Sequence, residues 1–367
     1  MKGEHDGYRE LKESESLKDY YVDHVNIEGG TIRNLNTAWS HLQDYLKSNG
    51  KSIGDFGKKD AADFCEYLTN RNSTRTHGDI SDRTASGYVG SLSRMADWLI
   101  AAGKIDYNPF QMAIKEGDPF EWDDTTPKME VSTQELRDGI QRISNPIVLT
   151  FFILTLKTGV RISEALNLDY RAINIDHPIS NKMPDPRAEV VNKPDTIYID
   201  SSISEGEEHN GEIRQDGNKK KSYRHLPIDK ELKDTLVWYI AMSPEYSGKP
   251  NPLFQSHSGH FGSRITRDKM TKLFREEMSE LGWHDERNPR SYNVTPHWCR
   301  HWFTTVLRRR IDEDEVEIGS VKEYVKGLRG DTGSDVIETY THEWSSNQWR
   351  TVYLDNIPQL YVGKRDN

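Results

Sequence analysis

The chain has 367 residues, too many for one ordinary core and enough for two domains of common size. No apolar run is long enough to span a bilayer, and the two cysteines, Cys65 and Cys299, exclude a disulfide framework or a Cys-rich zinc site. The net charge of −10 runs against the usual basic nucleic-acid binder without excluding one, because a basic groove can sit on an acidic body.

Residues 1–24 are polar and charged, with no clear period and no apolar signal segment. They read as a flexible N-terminal tail or a short docking helix, and the chain is placed in the cytoplasm. From Thr31, Leu35, Trp39, Leu42 and Leu46 recur at three- and four-residue steps and predict an amphipathic helix that stops at Gly50. A second helix starts near Asp60 and carries Phe64, Cys65 and Leu68. A third starts at Ser81 or Asp82, both good N-caps, and carries Tyr88, Leu92, Met95, Trp98 and Leu99. Together they make a small all-helical bundle over 25–112. The stretch 113–131 is rich in Pro, Gly and acidic residues and reads as a linker.

The second domain, 132–367, opens on the capping box Ser132-Thr133-Gln134-Glu135. A strongly apolar helix follows Asn145-Pro146 and ends at Thr158-Gly159. Ser163–Leu168 reads as a short helix, Thr196–Asp200 as a strand, and Arg224–Ile228 as the strand that returns beside it. Helices are expected at Asp229–Met242, Ser263–Leu281, His297–Ile311, Ser320–Leu328 and Asp335–Tyr340. The apolar tail with Trp344, Trp349, Tyr353, Leu354, Ile357 and Leu360 reads as a docking segment, on its own domain or on a neighbour. The fold class is mainly α with a small antiparallel sheet.

Four segments carry chemistry. In Thr158–Leu168, Arg161 stands between a helix-ending Gly and a new helix start. It can point into a cleft, or it can be a surface residue paired with Glu164. In His297-Trp298-Cys299-Arg300-His301, His297 and Arg300 are three apart on one helix. They suit a single phosphate, the Arg offering a planar fork and the His a proton. His297 and His301 also have metal-ligand spacing, but no carboxylate or third ligand accompanies them. Gly330–His342 ends a short amphipathic helix at Tyr340. The basic run Lys219, Lys220, Lys221 with Arg224 reads as a solvated turn or an insertion into a DNA groove.

The order and company of these segments resembles the tyrosine recombinase (phage integrase) family. Thr158–Leu168 is similar to its first Arg box, with Arg161 as the Arg. The His-x-x-Arg-His box matches at His297 and Arg300, the β-hairpin Lys falls on Lys219 with Lys220 and Lys221 as rivals, and the nucleophile matches Tyr340. Residues 25–112 look like the family's SAM-like core-binding domain. One position departs: nine residues before the Tyr the family usually has His or Trp, and this chain has Asp331. An ionised Asp cannot donate to a phosphate oxygen, so Asp331 is read as turning away to hold Arg or backbone groups, as protonated, or as replaced by another residue. The wording around Gly330 also looks similar to integrases of haloarchaea and their mobile elements, in keeping with an acidic, salt-adapted surface.

The resemblance implies a two-domain DNA clamp that cleaves and rejoins duplex DNA through a 3′-phosphotyrosine, without metal, ATP or any other cofactor. It implies a monomer that assembles as a tetramer on double-stranded target sites, with accessory DNA-bending proteins as further partners and no membrane. Arg75, Arg83 and Arg94 of the first domain are expected to touch DNA, beside Lys220, Lys221 and Arg224 of the second. The alternatives are a type IB-like topoisomerase or resolvase using the same residues, and a DNA-binding regulator whose site has decayed at Asp331.

Overall fold

The computed structural model describes residues 16–25, 29–69, 80–111, 120, 129–220, 222–243, 250–256, 262–288, 290–316, 318, 320–331 and 347–360. The chain divides into two compact units, Met1–Thr126 and Pro127–Asn367.

Unit 1 is a helical bundle of α1 (Leu17–His24), α2 (Gly29–Ser48), α3 (Lys58–Thr69) and α4 (Asp82–Ala101). Ser81 caps α4 by accepting from the Thr84 amide, as the sequence predicts. Leu35, Trp39, Leu42 and Leu46 of α2 meet Phe64, Cys65 and Leu68 of α3 and Leu92, Met95 and Leu99 of α4 in one buried core. Of the two readings of the N-terminal segment, residues 17–24 take the short docking helix and not the flexible tail. Ser16 caps them into a helix whose Leu17 is buried in the same core and whose Tyr21 meets Trp98 edge-on. The signal is weak in sequence because only one face of two short turns is apolar. Phe120, inside the expected linker, also belongs to this core.

Unit 2 is built around α6 (Pro146–Thr158), which follows α5 (Thr133–Ile140). From Thr150 to Thr158 every residue of α6 is buried, the mark of a helix packed on all sides. Around it lie the short α7 (Ile162–Leu166), then α8 (Lys230–Met242), α9 (Arg267–Glu280) and α10 (Pro296–Glu313). The chain continues through α11 (Val321–Arg329) and α12 (Asn347–Asn356). The capping box at Ser132 and Glu135 is present. Helix α9 starts four residues later than predicted because Thr266 supplies the cap. Residues 129–131 of the expected linker are part of this unit: Val131 is in its core, and the Met129 carbonyl accepts the Trp298 indole N–H at 2.7 Å.

The sheet has three strands, β1 (Ile173–Asn174), β2 (Thr196–Ile199) and β5 (Arg224–Pro227), all antiparallel in the order β1-β2-β5. Tyr198 faces His225 and Ile199 faces Arg224, so the predicted pairing of the two longer segments holds. The two-residue β1 and the small hairpin β3 (Glu208–His209) with β4 (Glu212–Ile213) are too short to leave a pattern in sequence.

The apolar tail docks on its own unit as far as Leu360. Tyr353 donates to the Lys157 carbonyl at 2.7 Å, and the Leu360 amide donates to Glu231 at 2.7 Å. The buried Lys157 ammonium donates to Asp229 and to the Pro358 carbonyl, each at 2.7 Å. Trp344 and the helix expected at 335–340 lie outside the described residues. Among the described residues no helix is long and apolar enough to cross a membrane.

Candidate functional site

The site begins where α6 stops. Gly159 takes φ 63°, and a Cβ there would lie 2.4 Å from the Phe303 ring, so only glycine fits. The turn it makes sends Arg161 out of the core at the start of α7. There the Arg161 amide donates to Glu164 Oε2 and its Nη1 donates to Glu164 Oε1, both at 2.8 Å. Glu164 is fully buried, an expensive place for a carboxylate unless it is paired. It has a second partner: Arg224, the first residue of β5, donates Nη2 to Oε2 at 2.8 Å and Nη1 to Oε1 at 3.2 Å. Burial would raise the Glu164 carboxyl, but Arg224, Arg161 and Arg300 hold it down at about 2.

Arg224 departs from expectation. It is buried rather than presented to DNA, its remaining donors go to the Leu328 carbonyl at 2.7 Å and the Ser222 carbonyl at 2.8 Å, and it braces the cluster from behind.

Arg300 comes from α10 and is buried. Its Nη1 donates to the Gly159 carbonyl, and its Nη2 donates to the Arg329 carbonyl and to Asp331 Oδ1, both at 2.7 Å. Burial and the nearby Arg161 pull its guanidinium below the usual range, against Glu164 and Asp331. Arg161 Nη2 donates to that same Asp331 oxygen. The other oxygen, Oδ2, faces Arg329 Nη2 at 2.9 Å. Asp331 therefore lies between the two arginines assigned from sequence. Burial would raise its carboxyl, but Arg300, Arg329, Arg161 and Lys219 keep it below its ordinary value. Asp331 holds Arg residues, as one of the three readings had it, but from between Arg161 and Arg300 and not turned away from them.

Gly330 makes this possible. It caps α11 in the left-handed region, and a Cβ on it would come within 2.6 Å of Arg224 Nη1.

Lys219 is exposed on the loop before β5. The buried Asn218 fixes one side by donating to the Asp200 carbonyl at 2.7 Å and accepting from Asn167 at 3.0 Å, while Ser222 donates to the Lys219 carbonyl. The charge of Lys219 helps to keep the Asp331 carboxyl down; Lys220 is exposed beside it, and Lys221 lies outside the described residues. His297 is exposed in the first turn of α10, three residues ahead of Arg300, with its Nε2 3.0 Å from His301 Nε2. Among the described residues no group of three His, Cys, Asp or Glu side chains is placed to hold a metal ion. Tyr340 and Arg75 lie outside the described residues.

In unit 1, Arg83 and Arg94 are both exposed on α4. Eleven residues is three turns, so they share one face, with Gly87 and Gly90 between them. Sequence reasoning proposed Arg161 and Arg300 and weighed Glu164 as a surface partner of Arg161, but it missed Glu164 as the buried anchor that Arg161 shares with Arg224, and Arg329 as a further cation. The capping position of Glu164, three residues after Arg161, was the available signal.

Residues 16–116 match the family model described as the Phage integrase SAM-like domain. Comparison with curated proteins gives no match. Among solved structures, the Tn1549 transposon integrase in complex with transposon right end DNA is 18% identical, with a TM-score of 0.60 over 89% of this chain and 94% of that one. A lambda integrase dimer bound to a COC′ core site is 14% identical, with a TM-score of 0.55 over 88% of this chain and 93% of that one. The fold is thus the one these integrases share: mostly helical, with a small antiparallel sheet and an N-terminal SAM-like domain.

Proposed function

We propose that this chain is a site-specific DNA recombinase of the integrase type, which cleaves and rejoins duplex DNA through a 3′-phosphotyrosine on Tyr340. The observation that carries the reading is the convergence of Arg161 and Arg300 on one anionic oxygen. Two guanidiniums held by buried partners and aimed at one point are built to bind a phosphate and to oppose charge as it grows on the non-bridging oxygens. The fold shared with integrases bound to DNA supports the same substrate.

In this reading Tyr340 Oη attacks the scissile phosphorus and gives its proton to His297. The bond to the 5′ oxygen breaks, and that oxygen takes a proton from Lys219. The phosphodiester energy stays in the phosphotyrosine, so attack by a new 5′-hydroxyl reverses the steps without ATP or metal. The exposed face of α4 with Arg83 and Arg94 supports phosphate contacts in unit 1, where Gly87 and Gly90 leave room for a close backbone. Unit 1 binds DNA, unit 2 carries the chemistry, and four copies assemble on two duplexes.

A second reading, a DNA-binding regulator, is favoured by Asp331 alone. One experiment separates the two. Nicked suicide DNA is incubated with the protein in EDTA, and a covalent adduct is sought on denaturing gels. The recombinase reading expects an adduct with the wild type and none with Tyr340→Phe, at unchanged DNA affinity. Binding without any wild-type adduct would leave the regulator, and an undiminished adduct with Tyr340→Phe would move the nucleophile elsewhere.

A further inference from the structure

We infer that the Asp331 carboxylate is an internal stand-in for the phosphate, a latch that fills the anion seat of the DNA-free protein and must swing out before DNA can occupy it. The inference deepens the proposed function and rests on it for the identity of the incoming anion.

The two carboxylates of the cluster are not equivalent. Glu164 is committed: its oxygens are taken by Arg161 Nη1, the Arg161 amide and Arg224, and it is fully buried. It cannot leave. Asp331 accepts from Arg161 Nη2 and Arg300 Nη2 on one oxygen and faces Arg329 on the other. Its side chain is 25% exposed, so it is open to solvent on one side and has somewhere to go.

The charge balance calls for an anion in that place. Four guanidiniums, of Arg161, Arg224, Arg300 and Arg329, surround two carboxylates, so the cluster keeps two positive charges even with Asp331 seated. Without Asp331 the excess is three, and among the described residues Arg300 would keep the carbonyls of Gly159 and Arg329 as its acceptors. A buried guanidinium short of a counter-ion recruits one from solution. The Arg329 Nε atom is buried without an acceptor among the described residues, on the same guanidinium that faces Asp331 Oδ2. A phosphodiester, like a carboxylate, presents two anionic oxygens that share one negative charge, so it can replace Asp331 with little change in local charge.

A merely structural salt bridge would behave differently. Its loss would lower stability whatever anion is in the buffer. Loss of a latch frees a seat, and an added oxyanion should restore what was lost.

The test uses the full chain without DNA, so its outcome does not depend on recombination. Melting temperatures of the wild type, Asp331→Asn and Asp331→Ser are measured in sodium phosphate from 0 to about 50 mM, with sodium chloride holding ionic strength constant. Both variants should melt below the wild type in chloride and recover in phosphate. They should bind phosphate at least ~10-fold more tightly than the wild type by calorimetry. Equal phosphate dependence in all three proteins would overturn the latch. So would variants that stay destabilised or unfolded in phosphate and chloride alike, since a phosphate ion is held to replace the lost carboxylate. If the anion test succeeds and the suicide-DNA test gives no adduct, the latch stands and the recombinase reading fails; the reverse pattern removes the latch alone.

Discussion

Glu164→Gln is expected to have a large effect on the stability of unit 2. The side chain is fully buried and holds Arg161 and Arg224 at 2.8 Å each. Its carboxyl is held at about 2 against an ordinary 4.5, a difference equivalent to about 3 kcal/mol of favourable interaction with the charged form. Removing one partner of a buried ion pair typically costs ~3–5 kcal/mol, because the other charge stays behind. A loss of about 3–5 kcal/mol is therefore expected. Unit 2 spans Pro127–Asn367, and for a domain of that size this corresponds to a drop of about 6–20 °C in melting temperature. Circular dichroism melts and urea titrations of the two proteins at pH 7 measure it. Asp234→Ala, which breaks the exposed Lys230–Asp234 pair, is the control and should cost less than ~1 kcal/mol. Glu164→Gln melting within ~2 °C of the wild type would refute the reasoning, because the buried carboxylate would then not be anchoring the arginines.

Four further outcomes are expected. Arg161→Ala or Arg300→Ala should lower suicide-DNA cleavage ~100- to 1000-fold while changing DNA affinity far less, and Lys should rescue poorly because the planar fork is lost; cleavage and affinity falling in step would make both residues simple phosphate anchors. Glu164 and Asp331 both have depressed carboxyls, so their stabilisation is present above the ordinary carboxylate value and lost as pH falls through the folded one; urea titrations should show stability falling from about pH 5 towards pH 2, and a flat profile would contradict this. Gly159→Ala should destabilise by about 2–5 kcal/mol in chemical denaturation, combining a left-handed backbone with a clash on Phe303, and a loss below ~1 kcal/mol would show that the turn can relax. With a net charge of −10, melting temperature is expected to rise with KCl towards molar concentration, and a flat or falling trend would remove salt adaptation while leaving the reading of the site untouched.

The long helices were legible because their apolar residues keep a 3.6 period against one neighbour, as Leu35, Trp39, Leu42 and Leu46 do. Helix boundaries were legible where a side chain makes the cap, as at Ser81 and Ser132. The helix of residues 17–24 was legible only as an alternative to a tail, because Leu17 is its one buried side chain and the rest of its packing is aromatic contact at the surface. In the site, Arg161 and Arg300 could be named from their segments, but their geometry could not. It depends on Glu164 being inaccessible and on Gly330 turning Asp331 back between them, and neither burial nor backbone sign is written in a local pattern. Arg224 shows the converse error: its place in a basic run suggested a surface, while strand pairing with Ile199 turns it inward.

The docking of residues 350–360 has a consequence for synthesis. Arg350 reaches the Asp195 carbonyl and Thr196, Tyr353 reaches Lys157, and Leu360 reaches Glu231. Each of these partners leaves the ribosome well before the segment that covers it. A nascent chain released as far as α11 would hold Lys157 with its carboxylate neighbours but without the Pro358 carbonyl, and the slots of Tyr353 and Leu360 would stand open to water. Unit 2 thus closes its core only when translation has passed these residues, so a growing chain that stops short of them is loosely packed.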